Sequence, residues 1–448
     1  MTPDLDLSPG PTRAAKSSAA PTHATVPLFL PCAPGAEGLL ADELHALLGA
    51  DAPVQAGRGG VRVLGDALVA MRLNLESRLA QRVLWPLAQG PYANEHDLYH
   101  LARTVRWTDW VSPAQTFRID TTAQRSPLQS LNFATLRVKD AVCDVLRDAT
   151  GERPSIDTKF PDLPLTLHLS PTDATLYADT SGDALFKRGW RDAQGLKGDA
   201  PLKETLAAAM LAAAGWQGRA DDGPLFDPCC GAGTIVIEAA QIAAGIAPGL
   251  QRRFAFERLL PFRTHQNSWA RLKDAARARQ HAPAVPIFAG DVSFRMTDFA
   301  QRNAERAGVA RYIEFKTADA LQRPPPAAAG KLLINPPYGE RIAPLGSRGG
   351  ASREGFDGGG SPDEFFSQLA SHWKRHYAGW TAWMLSPDPR LPRMLRLKES
   401  RRVPMWNGAI ECRLFRFDLV AGSARAAPAA PALPALPGTP GAPDATGD

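Results

Sequence analysis

Between residues 224 and 385, short apolar runs alternate with stretches of helical period, and few architectures accept that order. The runs cover 224–227, 285–289, 313–316, 331–334 and 380–385, with helical patterns through Ala243 and over 296–307. Strands separated by helices are joined by crossovers, so this half predicts an α/β domain around a mostly parallel sheet. Ser361-Pro362-Asp363-Glu364 reads as a capping box opening a further helix, with Phe366, Leu369 and Trp373 on one side. The end differs. Asn407-Gly408 lies between the strand-like runs 402–406 and 410–419, which predicts an antiparallel hairpin.

The first half carries a different pattern. Phe133, Leu136, Val142, Val145 and Leu146 recur at helical spacing opposite Arg137, Asp140, Asp144 and Arg147, and Gly151 ends that helix. Leu165, Leu167 and Leu169 then alternate with polar residues, Ser170-Pro171-Thr172-Asp173 makes a turn, and a second strand passes through Leu176 and Ala178. This predicts a small α+β module, divided from the α/β half near 195–199, where a helical pattern starts at Pro201. Residues 1–24 and 421–448 are rich in Pro and Ala and cannot supply a packed core, so both are expected to be disordered tails.

Bulk properties exclude more than they establish. A length of 448 residues with 44% hydrophobic content suits more than one domain, and a net charge of +5 suits a polyanionic partner. Five cysteines without a C-x-x-C pair predict neither zinc nor a redox centre, and no metal is expected. The first residues lack a secretory signal, and the apolar stretches near 206–216 and 235–250 are broken by Gly215, Glu238, Gln241 or Pro248. The expectation is a cytoplasmic protein without a membrane span.

Three constellations carry chemistry. The first is Asp227-Pro228-Cys229-Cys230-Gly231-Ala232-Gly233-Thr234, where a strand runs into a glycine turn and then a helix. Gly231 and Gly233 let the backbone approach a ligand, and the helix start offers free N–H groups, so a nucleotide-like cofactor is expected there. The second is Asp291, after the next strand, placed to accept from ribose hydroxyls; Asp319, after the third, could accept from an adenine amino group. The third is Asn335-Pro336-Pro337-Tyr338 after the strand 331–334. A base amino nitrogen is a poor nucleophile because its lone pair is delocalised into the ring. The Asn335 side-chain oxygen and the Pro336 carbonyl can each accept one of its N–H bonds, rigid prolines hold them in place, and Tyr338 can stack on an extruded base. Cys229 and Cys230 lie in the cofactor turn, where small packing residues are expected, so attack on a pyrimidine ring is not. The cluster Lys187-Arg188-Gly189-Trp190-Arg191 pairs cations with an aromatic and offers Lys187, Arg188 and Arg191 to RNA phosphates.

In order along 26–420, the chain resembles the bacterial THUMP-containing large-subunit rRNA guanine-N2 methyltransferases. The resemblance rests on residues 117–126 with Val138-Lys139-Asp140-Ala141, Asp179-Thr180-Ser181-Gly182, the basic cluster, 201–208, both site motifs and 407–412. It implies a Rossmann-like class I methyltransferase domain at 197–420, after a ferredoxin-like segment at 25–85 and a THUMP RNA-binding domain at 86–196. It also implies S-adenosyl-L-methionine as cofactor, held by Asp227, Cys229, Gly231, Gly233, Thr234, Asp291 and Asp319, with Asn335, Pro336 and Tyr338 at the target base. The implied partner is 23S rRNA or a pre-ribosomal particle, and the implied product an N2-methylated guanine. The same catalytic motif serves adenine N6 and glutamine methylation; a tRNA guanine enzyme and a non-catalytic assembly factor are the rival readings. Some relatives carry a second methyltransferase domain; here a single activity is expected. The glycine-rich stretch 346–360 is longer than usual for the family.

Overall fold

The computed structural model describes residues 24–191, 202–336 and 362–420. Both expected tails, the 195–199 boundary, Pro201, Ser361, Tyr338 and 346–360 lie outside the described residues. In the first half, β1 (Val26–Pro31), β2 (Val54–Gly57), β3 (Gly60–Gly65), β4 (Leu84–Pro91), β5 (Thr116–Ala123), β6 (Ser155–Ile156), β7 (Leu163–Leu169) and β8 (Asp173–Asp179) form one sheet ordered β2-β3-β1-β4-β8-β7-β5-β6. The two N-terminal modules therefore share a sheet. β4 is its bridge, paired with β8 from Leu84↔Asp179 to Pro91↔Asp173 and touched by β1 at Phe29↔Leu84.

The amphipathic helix forms as Leu131–Thr150, with Ser130 Oγ accepting from the Phe133 N–H and Gly151 closing it at φ 80°. Its buried face keeps Val142 and Leu146 as expected and departs from the expected one at Phe133 and Leu136. Ala134, Val138, Ala141, Val142, Cys143 and Leu146 are buried, whereas Phe133 and Leu136 are exposed. Small residues let this helix approach its neighbour Glu95–Arg103, where the Tyr99 hydroxyl donates to Asp144 at 3.0 Å. Alanine carries little weight in a hydrophobic periodicity, so the large apolar side chains alone pointed one position astray.

The second half is the expected α/β sheet. β9 (Leu225–Asp227), β10 (Ile287–Asp291), β11 (Ile313–Thr317), β12 (Gly330–Ile334), β13 (Trp380–Ser386), β14 (Arg401–Asn407) and β15 (Ile410–Asp418) take the order β11-β10-β9-β12-β13-β15-β14. The first five strands in that order are parallel, and β15 and β14 add antiparallel. The hairpin closes at Asn407↔Ile410 over the two-residue loop Gly408-Ala409, with Gly408 as its first central residue at φ 67°, a left-handed conformation that suits glycine, while Asn407 stays in the strand. Leu332, Leu333 and Ile334 are fully buried, the near-continuous apolar run of a strand covered on both faces.

The halves interlock through polar contacts. Gly249 N–H donates to the Leu75 carbonyl at 2.9 Å, and the Arg252 guanidinium to the carbonyls of Ser181, Asp183, Ala184 and Lys187. Among the described residues, no helix is long and apolar enough to cross a membrane.

Candidate active site

Parallel strands end on one edge, and the strand order β11-β10-β9-β12 lines up Asp319, Asp291, Asp227 and Asn335 along it. Asp227 closes β9 and Asp291 closes β10; Asp319 stands two residues beyond β11, and Asn335 directly follows β12. The chain leaves β9 toward β10 on one side and reaches β12 on the other, and such a switch point opens a crevice at the strand ends.

The glycine turn is tied into this edge. Cys229 N–H donates to Asp227 Oδ1 at 3.1 Å, Gly231 N–H to Asp291 Oδ2 at 3.0 Å, and Cys230 N–H to the Gly290 carbonyl at 2.7 Å. From the helix Phe294–Arg306, the buried Asn303 side chain donates to the Ala232 carbonyl at 3.0 Å. Gly231 has open space where a Cβ would stand, so its backbone faces the crevice bare. Gly233 is different: at φ 80° it caps the helix Thr234–Ala243, and a Cβ there would lie 3.0 Å from the Ala300 Cβ. Gly233→Ala is expected to cost about 1–2 kcal/mol through the left-handed backbone alone and to lower the melting temperature by several degrees. An unchanged thermal melt would show that the turn relaxes without strain.

Carboxylates dominate the electrostatics. Burial pushes Asp227 up to about 8; the neighbouring Asp291 adds to the rise and the Cys229 N–H opposes it. Burial also holds the Cys229 thiol well above its usual value, and Asp227, Asp291 and Asp319 all push the same way. All three predicted acids therefore surround the turn. Asp319 accepts from Leu321 N–H at 2.9 Å and lines a polar cavity of about 490 Å³ with Gln322 and, from the helix Pro362–His376, Gln368, His372 and Arg375. Asn335 Oδ1 is buried and, among the described residues, has no hydrogen-bond partner; Pro336 beside it is buried. A buried acceptor left unpaired costs about 1–3 kcal/mol, and such an atom at a crevice is a place for a donor from a ligand.

The basic cluster is corrected. Arg188 is 2% exposed and pairs with Glu238, while Arg191 turns inward to Glu204, the Leu202 carbonyl and Thr234 Oγ1. Arg188, buried against a carboxylate, has no fork left for phosphate, and Arg191 spends Nε and Nη2 inside the protein. Lys187 is exposed, in an ion pair with Asp183 at 2.8 Å. Glu204, Glu238 and Asn303 were not singled out from sequence. Glu238 had a signal: a carboxylate in the otherwise uncharged helix Thr234–Ala243 requires a buried cation. Among the described residues, no group of three His, Cys, Asp or Glu could hold a metal.

Residues 188–416 match the family model described as the RMKL-like methyltransferase domain, about half of the chain. The chain belongs to the RMKL-like methyltransferase family. A THUMP domain model matches 92–179, and the RlmL ferredoxin-like domain model matches 27–84. The ribosomal RNA large subunit methyltransferase K/L of Syntrophotalea carbinolica is 38% identical over 88% of this chain and 54% of that protein, so this RMKL-like chain spans about half the length of its K/L relatives. A putative RNA methyltransferase of Synechocystis, slr0064, is 34% identical over 88% of this chain and 97% of that one. In fold, the chain matches the crystal structure of SMU.472, a putative methyltransferase complexed with SAH, at TM-score 0.76 and 24% identity, covering 90% of this chain and 99% of that one.

Proposed function

We propose that this chain transfers a methyl group from S-adenosyl-L-methionine to the exocyclic N2 amino group of a guanine in 23S rRNA. The observation that carries the reading is the buried Asn335 oxygen, without a hydrogen-bond partner among the described residues, across the switch-point crevice from the glycine turn. The cofactor suits the residues present: an open backbone at Gly231, a free helix start at Thr234 and three carboxylates around them. When bound, the cofactor supplies a methyl group made electrophilic by a sulfonium. Asp291 would accept from the ribose hydroxyls, Asp319 from the adenine amino group, and Asp227 from the ammonium of the methionine part.

Asn335 and Pro336 act on the other substrate. Their two oxygens accept the two N–H bonds of the base amino group, which turns its lone pair toward the donor; Tyr338 would stack on the base. The donor would leave as a neutral thioether, and the methylated nitrogen, cationic until it sheds one of its two protons, is acidic enough to give that proton to water, so no strong general base is required. RNA is the substrate class for which the Syntrophotalea and Synechocystis relatives are named, and the THUMP match supports docking by the N-terminal half. On this reading the chain divides near residues 85 and 196.

Separate rRNA and tRNA fractions from a strain lacking this protein, incubated with enzyme and labelled cofactor, test the substrate. Label is expected in 23S rRNA and, after digestion to nucleosides, in N2-methylguanosine. Label in tRNA alone, or in N6-methyladenosine, would overturn it.

A further inference from the structure

The basic run 188–191 is a strap laid along the helix that follows the glycine turn. Arg188 and Arg191 stand three apart on the strap and meet Glu238 and Thr234, four apart on the helix Thr234–Ala243, so the strap bridges one helical turn. At the far end, Arg188 Nε donates to Glu238 Oε1 at 3.0 Å with both side chains buried, and Arg78 Nη1 adds a bond to the same carboxylate at 3.2 Å. At the near end, Arg191 Nη2 donates to Thr234 Oγ1 at 2.7 Å and to the Leu202 carbonyl at 3.0 Å, while its Nε donates to the buried Glu204. Gly189 lets the strap pass against the segment beyond that helix: at φ 101°, a Cβ there would stand 2.4 Å from the Gln251 carbonyl oxygen.

The two ends do different things. Glu238 lies more than one turn into the helix, whereas Thr234 is the residue next to Gly233. A bond on its hydroxyl bears directly on the turn, which Asn303 also holds through the Ala232 carbonyl. We propose that Arg191 is a positioning residue for methyl-donor binding, fixing through Thr234 where the first helical turn and the amides of the glycine turn stand. This rests on the reading of that turn as the donor site.

Calorimetry with S-adenosylhomocysteine, turnover at saturating donor and thermal melts test it on the full chain. Arg191→Ala is expected to raise Kd about tenfold while kcat at saturation stays within about threefold, since the lost contact orders the donor site and not the reacting atoms. Arg191→Lys recovers part of the affinity, because an ammonium is a point charge that cannot span all three acceptors as the planar fork does. Arg191→Met with Glu204→Met removes both charges at similar volume and leaves no unpaired buried carboxylate, so this pair reads the affinity in a folded protein. It must show the same rise. Arg188→Lys, on the same strap, is expected to lower the melting temperature without moving Kd. The inference fails if Kd is unchanged in the double variant, or if Kd follows melting temperature across all the variants. Wild-type chain that does not bind S-adenosylhomocysteine would instead overturn the functional reading itself.

Discussion

Asn335→Ala is expected to fold, to bind S-adenosylmethionine as tightly as the wild type, and to lose about 100-fold or more in kcat. The prediction follows from one atom. Among the described residues Asn335 Oδ1 is buried with no hydrogen-bond partner, so the truncation forfeits no bond made by that oxygen there. What it removes is one of two acceptors that align the amino lone pair, an interaction worth most when the methyl group is in flight. Deleting a single preorganised polar contact of this kind costs roughly 10²–10³ in rate. Single-turnover transfer with labelled donor, beside calorimetry of donor binding, separates the two quantities. Undiminished turnover would refute the role of Asn335, and lost donor binding would place the residue in the cofactor site instead.

Why the α/β half was legible and the strap was not comes down to what a period encodes. Strands such as β12 announce themselves because Leu332, Leu333 and Ile334 are all buried, and Gly408 marks its hairpin by supplying the left-handed residue of the turn. The acids Asp227 and Asp291 were found because they end strands, and strand ends in a parallel sheet share an edge whatever the rest of the chain does. Arg188 and Arg191 depend on partners far away in sequence. Glu238 lies 50 residues from Arg188, and nothing in Lys187-Arg188-Gly189-Trp190-Arg191 distinguishes a solvated run from one swallowed by buried carboxylates. The common sheet of the two N-terminal modules escaped for a related reason. β4 and β8 pair across more than 80 residues of chain, and neither strand carries a mark of its partner.

Asp227→Asn should lose donor affinity by at least about tenfold while gaining stability in the donor-free state at alkaline pH. Burial holds the Asp227 carboxyl up at about 8 against an ordinary 3.8, so the folded chain keeps this proton more tightly than the unfolded chain does. Its contribution to stability is whole below the ordinary carboxylate range and is lost as pH rises through about 8. Asparagine has no proton to lose there. The variant should therefore gain on the wild type in melting temperature between pH 6 and pH 9, and an equal difference at both pH values would sink this account. Binding has the opposite sign. To accept the donor's ammonium the carboxyl must ionise, so the wild type should release close to one proton per donor bound at pH 7, and its affinity should climb as pH approaches 8. Calorimetry in two buffers of different ionisation enthalpy counts that proton. Zero release at pH 7 would mean that Asp227 is already charged in the donor-free protein, held by a cation or water, and that the donor's ammonium is received elsewhere on the edge.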